Sequence, residues 1–148
     1  MDVERLTTIS PVTNEPILTR HGLSESQATQ LPVVATSAFN DFRRTSLEQR
    51  QNIVKTALRL LSARKDVLAK ELTEQMGRPI AYTAKEVSTA VSRAEYLLKI
   101  SDDALKDTPA EQEKGFTRFI RKAPRGPVLI VFAWNVSLFA IYCHLTLY

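Results

Sequence analysis

From Gly126 to Tyr148 the chain carries no Asp, Glu, Lys or Arg. A run of 23 residues without a charge must be covered by something apolar: the inside of a sheet or a lipid bilayer. Just before it, Lys114, Arg118, Arg121, Lys122 and Arg125 place five bases in twelve residues with no acid among them. All sixteen acids and fifteen of the twenty bases fall within residues 1–113, a net of −1. The formal charge of +4 is therefore local, and the chain reads as a balanced body, a short basic stretch and an uncharged tail.

At 148 residues there is enough chain for one domain with a real core. A single cysteine, Cys143, excludes a disulfide framework. His21 and His144 are far apart and no Cys/His cluster exists, so no metal site is expected. Met1–Ser10 carries Asp2 and Glu4 and lacks an apolar centre, which gives no secretory signal and an expectation of a cytoplasmic, reducing setting.

Residues 9–20 read as a short hairpin, with Asn14 and Glu15 between two β-leaning runs and Pro11 and Pro16 confined to edges. Ser24 and Gln27 form a capping box, followed by apolar residues at helical spacing: Leu31, Val34, Ala35, Ala38, Phe39 and Phe42. Pro32 requires that helix either to start there or to kink. Ser46 and Gln49 make a second capping box, with Leu47, Val54, Leu58 and Leu61 on one face. Val67, Leu68 and Leu72 continue the pattern after a break near Ser62, and Gly77 followed by Pro79 is a helix stop. A third helical stretch turns Val87, Ala90, Val91, Ala94, Leu97 and Leu98 inward and ends near Ser101–Asp103. The polar stretch 102–115 reads as a loop, and His21 as a turn residue. Glu71, Glu74 and Arg78 read as partners on one helix face.

Past residue 115 the period changes. Phe116 to Arg121 alternates as an extended arm does, and Val128-Leu129-Ile130-Val131-Phe132 reads as a strand buried on both faces. That strand leads directly to Trp134-Asn135, so an amide sits where open α/β sheets place their ligands. An Asn side-chain N–H there can hold a developing oxyanion, a role worth roughly 10²–10³ in rate; an Asn after a strand is also an ordinary turn residue.

Gly126 to Asn135 resembles the first cofactor-domain strand and Trp-Asn motif of the NAD(P)-dependent aldehyde dehydrogenases. Phe39–Arg43 with Thr45-Ser46 resembles the family's first long helix and the start of the next. Glu71-Leu72 through Met76-Gly77-Arg78-Pro79 resembles its turn between helices, and Glu86-Val87 the next helix opening. The resemblance runs in order from Ile9 to Asn135. It implies an α/β fold whose N-terminal portion is mostly helical, with a β-hairpin at the start and an arm plus one buried strand near the C-terminus. The corresponding division is 1–113 for the hairpin and helical part, 114–126 for an oligomerisation-type arm, 127–135 for the strand, and 136–148 for a divergent tail.

The same resemblance implies oxidation of a small-molecule aldehyde to an acid, NAD or NADP as cofactor, and a homo-oligomer. Asn135 matches the oxyanion-stabilising Asn, and Val131, Phe132, Ala133 and Trp134 match positions at the nicotinamide and ribose end of the cofactor site. The family usually has Pro at the position of Ala133, and after its Asn continues with an aromatic, a Pro and a helix. Val136–Tyr148 departs from that pattern. The nucleophilic Cys, the general-base Glu and the ribose-binding Lys match no residue here, which implies an inactive fragment. Cys143 stands eight residues past Asn135 without a placed base, so it reads as an inert thiol.

Two other readings use the same residues. The uncharged run with its basic flank fits a tail-anchored membrane protein, against which stand Pro127, Asn135, Ser137 and His144. Phe116–Lys122 interleaves aromatic and basic residues as nucleic-acid platforms do, but no module surrounds it, and the reading is of a solvated arm with no nucleic-acid partner.

Overall fold

The computed structural model describes residues 4–131. The chain opens with an antiparallel hairpin, β1 (Arg5–Ile9) and β2 (Pro16–His21), pairing Arg5 with His21 and Thr7 with Thr19, with a bulge at Thr8/Ile9. Its first strand therefore lies earlier than the 9–20 reading placed it. The reason is Ser10, whose buried hydroxyl accepts from the amides of Val12 and Thr13 and turns Ser10–Glu15 into the connection. Asn14 completes the turn at φ 59°, a conformation that Asn tolerates. His21 ends a strand and is not a turn residue.

Helix α1 spans Glu25–Phe42 and is capped as read: the Gln27 amide donates to Ser24 Oγ and the Ser24 amide to Gln27 Oε1. It runs through Pro32, so the start-at-Pro32 alternative is not the one adopted. Pro32 leaves the Ala28 carbonyl without its helical donor, at a cost of order 3 kcal/mol. The capping box offsets about 1 kcal/mol of it. No residue of α1 is buried, and Leu31, Val34 and Phe42 of its apolar stripe are exposed, Val34 at 62%.

The core belongs to the next three helices: α2 (Leu47–Ala63), α3 (Lys65–Met76) and α4 (Ile80–Leu105). The Ser46/Gln49 capping box starts α2, and Arg64, at φ −104° and ψ 14°, is the break between α2 and α3. Leu58 and Leu61 of α2 and Ala69 of α3 meet Val87, Ala90, Ala94 and Leu97 of α4. The alanines at these positions let the helices approach closely. Thr73 and Thr83 satisfy each other's hydroxyls at 3.2 Å where α3 and α4 face, and Gln51 donates to Ser101 Oγ at 2.8 Å, tying the start of α2 to the end of α4. Val91 and Leu98, read as inward, sit half-buried at the margin of this core.

Gly77 ends α3 in the left-handed region, φ 71°, and its amide donates to the Thr73 carbonyl. A Cβ there would lie 3.0 Å from Pro11 Cγ, so the hairpin connection rests against the α3–α4 link and both φ and space call for glycine. Arg78 pairs across this link with Glu86, and Lys70 with Glu74 at 3.7 Å. The grouping of Arg78 with Glu71 and Glu74 is thus corrected: once Gly77 ends α3, Arg78 no longer shares their helix face.

Helix α4 continues to Leu105, past the expected end, and the stretch read as a loop contains β3 (Thr108–Pro109), antiparallel to β4 (Phe119–Ile120). Residues 127–131, the described part of the strand expected at 127–135, form no ladder, and Leu129 and Val131 are 88% and 87% exposed. A strand buried on both faces takes its hydrogen bonds from neighbours on each side, and no described residue supplies one to this run. Among the described residues no helix is long and apolar enough to cross a membrane; the residues from Phe132 onward lie outside them.

Candidate functional site

Of the residues expected to carry chemistry, Val131 is described; Phe132, Ala133, Trp134 and Asn135 lie outside the described residues, as does Cys143. Val131 stands exposed at the end of the described run. Gly22, Gly77, Gly115 and Gly126 stand singly and make no glycine-rich phosphate turn. The described residues thus reach the first of the five site candidates and not the other four. Nor do they gather three or more metal-ligating side chains.

What they do build is the approach to that motif. The hairpin β3–β4 leaves the end of α4 and returns to it. Arg121 lays its guanidinium on Asp107 as a fork, Nε at 3.2 Å from both carboxylate oxygens and Nη2 at 2.8 Å from Oδ2. The same guanidinium lies 4.7 Å from the centre of the Phe119 ring. Lys122 Nζ donates to the Ala104 carbonyl at 2.5 Å, in the last turn of α4, where helical carbonyls lack amide partners and a cation is favoured. Farther along, Arg118 pairs with Glu113 and stacks over Phe116. Phe116, Phe119 and Ile120 are exposed on the outside of the arm.

Asp107 is the partner that the sequence reading misses, because the polar stretch 102–115 reads as a loop. The signal was there: Asp102, Asp103, Asp107, Glu111 and Glu113 directly precede the five bases of 114–125. With Arg118 and Arg121 engaged by carboxylates, the basic stretch is a paired arm.

The hydrogen bond from Arg121 holds the Asp107 carboxyl below the usual aspartate value of 3.8, and the hydrogen bond from Lys106 does the same for Asp103. The carboxylates in turn raise Arg121 and Lys106. A carboxylate depressed in the folded state stabilises above its unfolded value, and that contribution is lost as pH falls through the folded one. A raised lysine contributes below its unfolded value and loses its contribution as pH rises through the folded one. The Asp103–Lys106 pair is consequently whole across the neutral range. A carbon-detected NMR titration should place the Asp107 midpoint below 3.8, returning toward it in Arg121→Gln; a midpoint indifferent to that substitution would contradict the pairing.

A hairpin leading into helices and an arm returning to the last of them define an α-rich, α/β-type architecture. The model of the "Aldehyde dehydrogenase family" matches residues 1–147, and the chain belongs to that family. It is 30% identical over 131 residues to 3-succinoylsemialdehyde-pyridine dehydrogenase from a Pseudomonas species, covering 88% of this chain and 27% of that one. It is also 30% identical over 136 residues to succinate-semialdehyde dehydrogenase [NADP(+)] from Mycobacterium avium (strain 104), covering 90% of this chain and 29% of that one. The fold matches a 3,6-anhydro-L-galactose dehydrogenase in complex with NAP at TM-score 0.83 and 22% identity, over 96% of this chain and 30% of that one. A succinic semialdehyde dehydrogenase from Streptococcus pyogenes in complex with NADP+ matches at TM-score 0.66 and 25% identity, over 74% of this chain and 24% of that one. The chain thus spans less than a third of the length of each of these relatives.

Proposed function

We propose that this chain is the N-terminal portion of an enzyme that oxidises a small aldehyde to a carboxylic acid with NAD or NADP as hydride acceptor. The observation that carries the reading is the family match across residues 1–147, a span that includes Trp134-Asn135. The semialdehyde dehydrogenases among its relatives support a semialdehyde as substrate. In this reading Asn135 donates its side-chain N–H to the oxyanion formed on the aldehyde, and Val131, Phe132, Ala133 and Trp134 form an edge of the cofactor pocket. The exposed arm around Phe116–Ile120 joins a second copy.

These 148 residues are not sufficient for turnover. Their one cysteine, Cys143, stands eight residues past Asn135 in the segment read as divergent, and no residue matches the general-base Glu or the ribose-binding Lys that the resemblance implies. The purified chain, given succinate semialdehyde and NAD+ or NADP+, should form no reduced cofactor by absorbance; measurable turnover would refute its insufficiency. A chimera tests the family role directly. Residues 1–135 of this chain, replacing the matching segment of the Mycobacterium avium enzyme, should give a protein that reduces NADP+ with succinate semialdehyde. A folded but inactive chimera would overturn the reading.

A further inference from the structure

We propose that the arm of residues 108–122 is held on the C-terminal end of α4 by an electrostatic latch, so that its order depends on ionic strength while the helical core's does not. The inference does not rest on the enzymatic reading. The arm's main-chain pairing is minimal: Thr108 faces Ile120, Pro109 faces Phe119, and Pro109 has no amide to give. Two further backbone bonds close it, the Ala110 amide to the Arg118 carbonyl at 3.1 Å and the Phe116 amide to the Glu113 carbonyl at 2.9 Å. A lone two-stranded hairpin is marginal in water without an apolar face to bury. Here Phe116, Phe119 and Ile120 are exposed, so burial does not supply the difference.

Gln112 adds an uncharged tie, its side-chain amide donating to the Ala110 and Arg118 carbonyls at 2.8 and 3.3 Å. The other contacts are charged, and they sit at both ends of the arm. At its base the Arg121 fork grips Asp107 while Lys122 caps the Ala104 carbonyl; at its tip Arg118 meets Glu113. All four of these charged partners, Asp107, Arg121, Glu113 and Arg118, are more than a third exposed at their side chains. Such pairs weaken as salt shortens the Debye length from about 10 Å at 0.1 M to about 3 Å at 1 M. The core of α2, α3 and α4 is built from Leu, Val and Ala, and the ion pair beside it, Arg78–Glu86, keeps the Glu86 side chain 9% exposed, where salt screens less.

Amide-resolved hydrogen exchange on the 148-residue chain tests the latch. Raising sodium chloride from 0.1 to 1 M should speed exchange at Ala110 and Phe116 roughly three- to tenfold and leave Val87, Ala90 and Ala94 unchanged. Arg121→Gln should produce the same local change at low salt and remove most of the salt response. The charge-reversed double variant Asp107→Arg with Arg121→Asp should restore protection, which a merely steric role for Arg121 would not allow. Arm exchange indifferent to both salt and Arg121→Gln would overturn the latch. So would a failure of the reversed pair to recover, or a rise spread equally over the core amides.

Discussion

Replacing Val87 with aspartate should abolish the folded bundle. Val87 is completely buried in the first third of α4, the helix that packs against both α2 and α3. A carboxylate there has no partner to donate to it, and leaving a charge unpaired in such a place costs several kcal/mol even after it takes up a proton. The core that would absorb this loss is small: Leu58, Leu61, Ala69, Val87, Ala90, Ala94 and Leu97. Domains hold only about 5–15 kcal/mol in total. Thermal unfolding followed by circular dichroism should show no cooperative transition for Val87→Asp. Val87→Ala should keep a transition reduced by about 2 kcal/mol, the cost of the lost methyls and the space they leave. A Val87→Asp protein that melts cooperatively near the parent temperature would mean that the three helices do not share this core.

The second large effect concerns Asn135 in the chimera that carries residues 1–135. Asn135→Ala should lower kcat by roughly 10²–10³ with little change in KM for NADP+. The asymmetry follows from when the interaction is made. An amide N–H aimed at the carbonyl oxygen gains most when that oxygen acquires charge, so its removal raises the barrier more than it weakens binding. Steady-state kinetics over a range of both substrates separates the two constants. A loss below threefold would leave Asn135 as a turn residue after a strand, the plain alternative for its type and position.

Local chemistry was the legible part of this chain. The Ser24/Gln27 and Ser46/Gln49 boxes and the left-handed Gly77 are each set by residues within four positions of one another and stand where the pattern put them, while the break read near Ser62 falls at Arg64. The inward face of α4 was legible for the same reason, since Val87, Ala90, Ala94 and Leu97 repeat at the helical period. What escaped was set by particular side-chain contacts that residue type and period do not reveal. The hairpin register depended on a serine hydroxyl taking two amides, the arm on an aspartate fourteen residues before its arginine, and Arg78 on a glutamate across a link. The strand expected from Val128 has the composition of a buried one, but burial is conferred by neighbours, and composition cannot supply them. For the candidate site, the motif Trp134-Asn135 was visible as residue types while its surroundings were not.

The uncovered stripe of α1 has a consequence for the order in which the polypeptide takes shape during synthesis. The main packing partners lie close in sequence: β1 with β2, α3 with α4, α2 with α4, β3 with β4. Such local pairings form within microseconds to milliseconds, far faster than a ribosome adds residues at about 5–20 per second. The hairpin and the three-helix core can therefore assemble as they emerge. The stripe of Leu31, Val34 and Phe42 cannot, because none of these early-formed elements buries it. While it is uncovered, it adds to the apolar surface that the emerging chain presents to water, together with Leu129 and Val131 near the other end of the described residues.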